Sequence, residues 1–129
     1  LEEMDADHIV LAAPATAATH HIINQASLND CKQGAHLINV ARGSLIDQQA
    51  LREALDNGQL SLASLDVVDP EPLPAGHWLY QHELVRLSPH ISWSAPQILK
   101  RLILPFVENI RAYLQGQPLQ GLVDLEHRY

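Results

Sequence analysis

Residues 36–47 read HLINVARGSLID, from His36 to Asp47, and this stretch decides the fold. Positions 36–41 form an apolar run too short for a core helix, so they read as a buried strand closed by Arg42-Gly43. Asp47 then offers the short oxygen-bearing side chain of a helix N-cap. Ala50, Leu51, Ala54 and Leu55 fall on one face of the helix that follows, which runs to about Asn57 and stops at Gly58. A buried strand leading at once into an amphipathic helix is the core of a βα unit.

Working outward, the same pattern recurs on both sides. Residues 9–13 are an apolar run ending at Pro14, followed by a turn containing Thr16 and Thr19. Residues 24–33 read as a short helix with Gly34 as its stop. Residues 62–68 (LASLDVV) are a third strand, broken by Pro70, Pro72 and Pro74. A turn or short helix is expected around residues 77–81, and residues 84–88 are a fourth strand stopped by Pro89. A long helix over residues 97–114 ends near Gly116, and Pro105 inside it predicts a kink or a break. Four strands thus recur roughly every 25 residues, the size of a βα unit. Uninterrupted apolar strands predict a parallel sheet covered on both faces, an α/β fold. Residues 116–129 form a tail of mixed character, so the organisation expected is 1–115 as one domain and 116–129 as its extension.

Composition narrows the functional classes. The 129 residues are 47% hydrophobic and 18% charged, which suits a packed core and not a disordered chain. The net charge of −7 disfavours nucleic acid and anionic membrane as partners. No apolar run is long enough to cross a bilayer. A single cysteine, Cys31, forms no internal disulfide and fits a reducing, cytoplasmic setting. The chain opens on Leu1, and no signal peptide precedes the first strand, so it is expected to begin inside a longer protein.

Each strand ends in polar or turn-forming residues: Pro14, Thr16 and Thr19; Arg42-Gly43-Ser44; Asp66, Asp69 and Glu71; and His90. Ligands of open parallel sheets bind outside the carboxyl ends of the strands, so one rim gathers an arginine, several carboxylates and a histidine. Taken singly, Arg42 is a surface loop residue, Glu71 a solvated one between prolines, and His90 a structural one. Asp66 is harder to dismiss, because a carboxylate inside an apolar strand needs partners. His20-His21 are not read as a metal pair, since adjacent side chains diverge and no third ligand is evident, and no metal site is expected. Cys31 reads as structural. Trp78 and Trp93 fit either core or pocket.

Taken together, residues 38–47 (INVARGSLID), 66–72 (DVVDPEP) and 88–91 (SPHI) resemble the D-isomer-specific 2-hydroxyacid dehydrogenases. The likeness extends to residues 7–24 and to the last helix, in the same order and spacing. The ending at residues 121–129 (GLVDLEHRY) looks like the glyoxylate/hydroxypyruvate reductase branch. The resemblance implies the C-terminal part of a doubly wound, Rossmann-like nucleotide-binding domain lacking its N-terminal βαβ unit. It implies that Arg42 binds substrate, that His90 is the catalytic acid/base and that Glu71 pairs with it. It also implies that Ala13, Thr19, Val40, Ala41, Arg42, Asp66 and His90 contact NAD or NADP.

By the same resemblance the Gly-rich phosphate turn, the residue choosing NAD or NADP and a substrate-capping domain lie upstream of Leu1, and the intact enzyme is a homodimer. The tail would return toward the capping domain, leaving apolar surface that favours self-association. Where relatives carry small residues, this chain has Ser92 and Trp93, which reshapes the expected pocket.

These residues suit reduction of a small 2-oxo acid. The planar guanidinium of Arg42 can hold a carboxylate and a keto oxygen together. The imidazole of His90 titrates near working pH and can give up a proton. Glu71 favours the imidazolium and orients the ring. A dinucleotide-sensing protein of the same fold, and a fragment inactive by itself, are the competing readings. An intact Arg42, Glu71 and His90 favour catalysis.

Overall fold

The structure is a computed structural model, and it describes residues 5–125. Four strands form one sheet: β1 (His8–Leu11), β2 (Ala35–Asn39), β3 (Leu60–Leu65) and β4 (Val85–Leu87). They lie in the order β1-β2-β3-β4 and every pair is parallel. Helix α1 (Gln25–Asn29) joins β1 to β2, and α2 (Gln48–Asp56) joins β2 to β3. The α/β fold expected from the strand–helix rhythm is therefore present.

Local chemistry sets the helix starts. Asn24 caps α1: its Oδ1 accepts from the Ala26 and Ser27 amides, and Ser27 Oγ accepts in return from the Asn24 amide, a capping box. The helix ends at Asn29, four residues short of expectation, because Asp30, Cys31 and Lys32 offer no continuing apolar stripe. Asp47 caps α2 by accepting from the Gln49 and Ala50 amides, and Ala50, Leu51, Ala54 and Leu55 are all buried, as their spacing requires. The strands are shorter than their apolar runs. In particular β3 stops at Leu65, so Asp66 lies just past the strand and not within it.

Within this chain the helices between the strands cover one face of the sheet. Burial alternates along the strands: Ala35, Leu37 and Asn39 are buried, whereas His36 and Ile38 are only half-buried. A monotonic strand order joined by right-handed crossovers puts α1 and α2 on the same face. That face holds the core, built from Leu37, Leu60, Ala63 and Leu65 against Leu28, Leu51 and Leu55. The opposite face carries His8, Val10, His36, Leu62, Ser64 and Arg86, exposed or half-exposed. There His36 Nε2 meets Ser64 Oγ at 2.9 Å and the His8 ring stands edge-on at 5.5 Å. Burial, reinforced by the charges of His8 and Arg86, lowers the His36 imidazole from its ordinary value. At the start of β1, Lys32 pairs with Asp7 at 2.7 Å, which lowers the Asp7 carboxyl.

The chain divides into two compact units, one ending at Ile91 and one beginning at Ser92. The second unit contains α3 (Ile98–Leu114), which runs unbroken past Pro105: losing one amide donor leaves the flanking helical bonds in place. Helix α3 buries none of its side chains, and Leu99, Leu102, Phe106 and Leu114 are all exposed. Among the described residues no helix is long and apolar enough to cross a membrane.

Candidate active site

The residues singled out from the sequence all lie past the carboxyl ends of the strands, on one rim of the first unit. Ala13 and Thr19 follow β1, Val40 to Arg42 follow β2, Asp66 and Glu71 follow β3, and His90 follows β4. Parallel pairing of all four strands is what collects these positions from distant stretches of sequence.

After β1 the chain makes a turn braced by its own hydroxyls. Thr19 Oγ1 donates to the Pro14 carbonyl at 2.7 Å and accepts from the Thr16 amide at 2.8 Å. This turn is stitched to the loop after β2, because the His21 amide donates to the Ser44 carbonyl and Ile23 bridges Ile46 in parallel. The rings of His20 and His21 do not diverge as expected. They stack at 3.9 Å, because His21 adopts a left-handed backbone (φ 50) that swings its side chain toward its neighbour. Among the described residues no group of three or more metal-binding side chains assembles.

After β2 the decisive residue is one the sequence reading passed over. Asn39 is fully buried; its Nδ2 donates to the Arg42 carbonyl at 2.8 Å and its Oδ1 accepts from the Ala41 amide at 3.0 Å. The Asn39 side chain thus holds the Val40–Arg42 turn in shape. Arg42 is exposed, its Nη1 donates to the Ala41 carbonyl at 2.6 Å, and it forms no ion pair among the described residues. Gly43 is fixed by space. A Cβ there would overlap the Val68 carbonyl and stand 2.6 Å from the Asp69 nitrogen. The Arg42 turn and the start of the Glu71 loop therefore touch backbone to backbone.

After β3, Asp66 has the partners its burial demands. Its Oδ1 accepts from the Ser88 hydroxyl and from the Ile91 amide (3.0 Å), and its carbonyl accepts from the His90 amide at 3.0 Å. This clasp brackets His90 on both sides and holds it in a left-handed conformation (φ 53). Glu71 Oε2 meets His90 Nδ1 at 3.1 Å. With a carboxylate at that distance Nδ1 carries the hydrogen, which fixes the tautomer of the neutral ring. Beside Glu71 lies a largely apolar cleft of about 440 Å³, lined by Val68, Pro72, Leu73, Tyr80 and Leu87. The structure thus joins Asp66, Glu71 and His90, and keeps Arg42 on the adjoining turn without direct contact to the pair.

Of the tryptophans, Trp78 packs partly against the core, with Arg52 over its ring at 5.6 Å, whereas Trp93 is exposed. Cys31 is buried and donates to the Leu28 carbonyl at 3.0 Å, as a structural thiol.

A four-stranded parallel sheet with connecting helices and polar side chains gathered along its carboxyl rim defines a Rossmann-like α/β domain. Comparison with known proteins makes the assignment specific. The model of the family "D-isomer specific 2-hydroxyacid dehydrogenase, NAD binding domain" matches residues 3–92, and the chain belongs to that family. A glyoxylate reductase of Thermofilum pendens is 38% identical over 120 residues, covering 93% of this chain and 35% of that protein. A glyoxylate/hydroxypyruvate reductase B of Pectobacterium atrosepticum is 36% identical over 120 residues, covering 93% and 38%. Among solved structures, a D-isomer specific 2-hydroxyacid dehydrogenase of Xanthobacter autotrophicus Py2, in complex with NADPH and MES, superposes with a TM-score of 0.89. It is 35% identical, over 98% of this chain and 51% of that one. The chain spans about a third of the length of the two curated relatives described, 35% and 38%.

Proposed function

We propose that this chain is the part carrying the catalytic residues of an NAD(P)-dependent oxidoreductase that interconverts a small 2-oxo acid and its D-2-hydroxy acid, of the glyoxylate or hydroxypyruvate type. The observation that carries the reading is the 3.1 Å contact between Glu71 Oε2 and His90 Nδ1, which orients the imidazole as a general acid/base requires. Two relatives named for glyoxylate and hydroxypyruvate support the substrate class.

The residues present fit a dinucleotide at the rim. Val40 and Ala13 offer apolar surface beside polar turns, and Thr19, Ala41, Arg42, Asp66 and His90 line the same edge. The bound dinucleotide supplies or accepts the hydride. Arg42 holds the substrate carboxylate and polarises its keto oxygen through the planar guanidinium. His90 Nε2 delivers a proton to that oxygen, and Glu71 keeps the ring oriented for the transfer. Asp66 and Ser88 keep His90 in place from behind. The 2-oxo acid, NAD(P)H and one proton become the 2-hydroxy acid and NAD(P)⁺, so lower pH favours reduction and higher pH favours oxidation. A cytoplasmic homodimer is part of the same proposal, with the exposed apolar face of α3 as the surface that makes the isolated chain self-associate.

The test uses the full-length protein and follows NAD(P)H absorbance with glyoxylate and hydroxypyruvate. His90→Ala should lower kcat by about a hundredfold. Arg42→Ala should raise KM for the oxo acid. Tight dinucleotide binding with no turnover of either acid would overturn the reading in favour of a sensor.

A further inference from the structure

Glu71 and His90 are both substantially exposed, 42% and 39% by side chain, and an ion pair so exposed does little to hold itself together. Its geometry must come from the backbones that carry it. On the His90 side the source is the Asp66 clasp. On the Glu71 side it is Gln48, a residue the functional reading leaves unused.

Gln48 is the first residue of α2, directly after the Asp47 cap. Its Nε2 donates to the carbonyl of Asp69, 21 residues away in sequence and two before Glu71. Its Oε1 is buried and has no hydrogen-bond partner among the described residues. A side chain at a helix start is ordinarily free to turn both amide ends to water. Here one end is given up to desolvation so that the other reaches Asp69. Gly43 contributes the second hold, since its missing side chain makes room for the Val68 carbonyl and the Asp69 nitrogen. From Asp69 onward the segment alternates with prolines, Asp69-Pro70-Glu71-Pro72, and each proline locks its φ. A displacement at Asp69 therefore passes to Glu71 with little slack.

We propose that Gln48 is a positioning residue. Through Asp69 it sets Glu71 against His90, and it ties the Glu71 loop to the turn that carries Arg42. The proposal rests on the reading of His90 as proton donor.

The experiment is a double-mutant cycle in the full-length enzyme. Gln48→Met keeps the length and loses the donor; it should lower kcat for oxo-acid reduction about tenfold, as small misplacements do. NAD(P)H affinity by fluorescence titration should be unchanged. Gln48→Lys, which restores a donor to the Asp69 carbonyl, should recover most of the loss. In a Glu71→Gln background, Gln48→Met should cost less than about twofold, because its effect runs through Glu71. The same tenfold loss in both backgrounds would overturn the proposal while leaving the catalytic reading intact, and so would full activity of Gln48→Met. Normal turnover by Glu71→Gln and His90→Ala would instead overturn the catalytic reading, and this proposal with it. If Gln48→Met does not fold, Gln48→Glu, which sets a carboxylate against the carbonyl, runs the same cycle with the same expected outcome.

Discussion

Asn39→Leu keeps the branched outline of a fully buried side chain, at a somewhat larger volume, and deletes its two hydrogen bonds. The Arg42 carbonyl and the Ala41 amide then lose their partners. A buried polar group stranded in this way costs about 1–3 kcal/mol. Ala41 is half-buried, so its amide bears most of that cost, whereas the carbonyl of exposed Arg42 can take water and falls at the low end. The sum is about 2–4 kcal/mol, read as a lowered urea midpoint with an unchanged m-value. In the full-length enzyme KM for the oxo acid should rise, because the turn bearing Arg42 is no longer held, while dinucleotide affinity changes less. Asn39→Asp separates the two bonds. An ionised carboxylate still accepts from Ala41 but cannot donate to Arg42, and a protonated one can. Burial raises a carboxyl pKa above its unfolded value, so this variant's stability is greatest at low pH and is lost as pH rises through the folded pKa. A loss below about 0.5 kcal/mol for Asn39→Leu would refute the idea that this side chain holds the turn.

Gly43→Ala should destabilise by about 1–3 kcal/mol or prevent folding, since its Cβ meets backbone and not a movable side chain; a variant as stable as the parent in thermal melts would contradict the close approach to Val68. Leu51→Ala, on the core face of α2, should cost about 2–5 kcal/mol by urea titration, and a cost below 1 would place Leu51 outside the core. His36 has a folded pKa below its unfolded value, so the unfolded chain takes up its proton first, and stability is lost as pH falls from about 6.5 through the folded pKa. His36→Gln should flatten that part of the stability–pH curve, and an unchanged slope would show that the loss arises elsewhere.

Much of the framework was legible because it depends on local chemistry. The Asp47 cap, the stripe Ala50-Leu51-Ala54-Leu55 and the stop at Gly58 sufficed to place α2 almost to the residue. Strand ends were less legible. Val67 is buried and apolar yet lies beyond β3, because the turn as well as the strand packs inward, and hydrophobicity cannot tell the two apart. Which face the connecting helices cover was not legible for a related reason: half-exposed Ile38 and Leu62 look like core in an apolar run. At the site, Arg42, Glu71 and His90 stood out through motif and order. Asn39 carried the signal that drew attention to Asp66, a polar residue in an apolar strand, and was overlooked beside the louder Arg42. Gln48, Gly43 and Ser88 were hidden because their work is done on atoms far away in sequence. Gln48 reaches the Asp69 carbonyl, Gly43 yields to Val68, and Ser88 binds Asp66. Only strand order brings those partners near.

The left-handed backbone at His90 bears on how this site trades durability for chemistry. A residue with a Cβ in that conformation costs about 1 kcal/mol relative to glycine, and the exposed bond to Glu71 returns only a few tenths. On backbone conformation alone, glycine would be the favoured occupant of position 90. Selection for robustness alone would remove the imidazole. An ageing or engineered lineage of this domain that gained stability here would do so by giving up its proton donor, and a rise in melting temperature at this position would mark lost function.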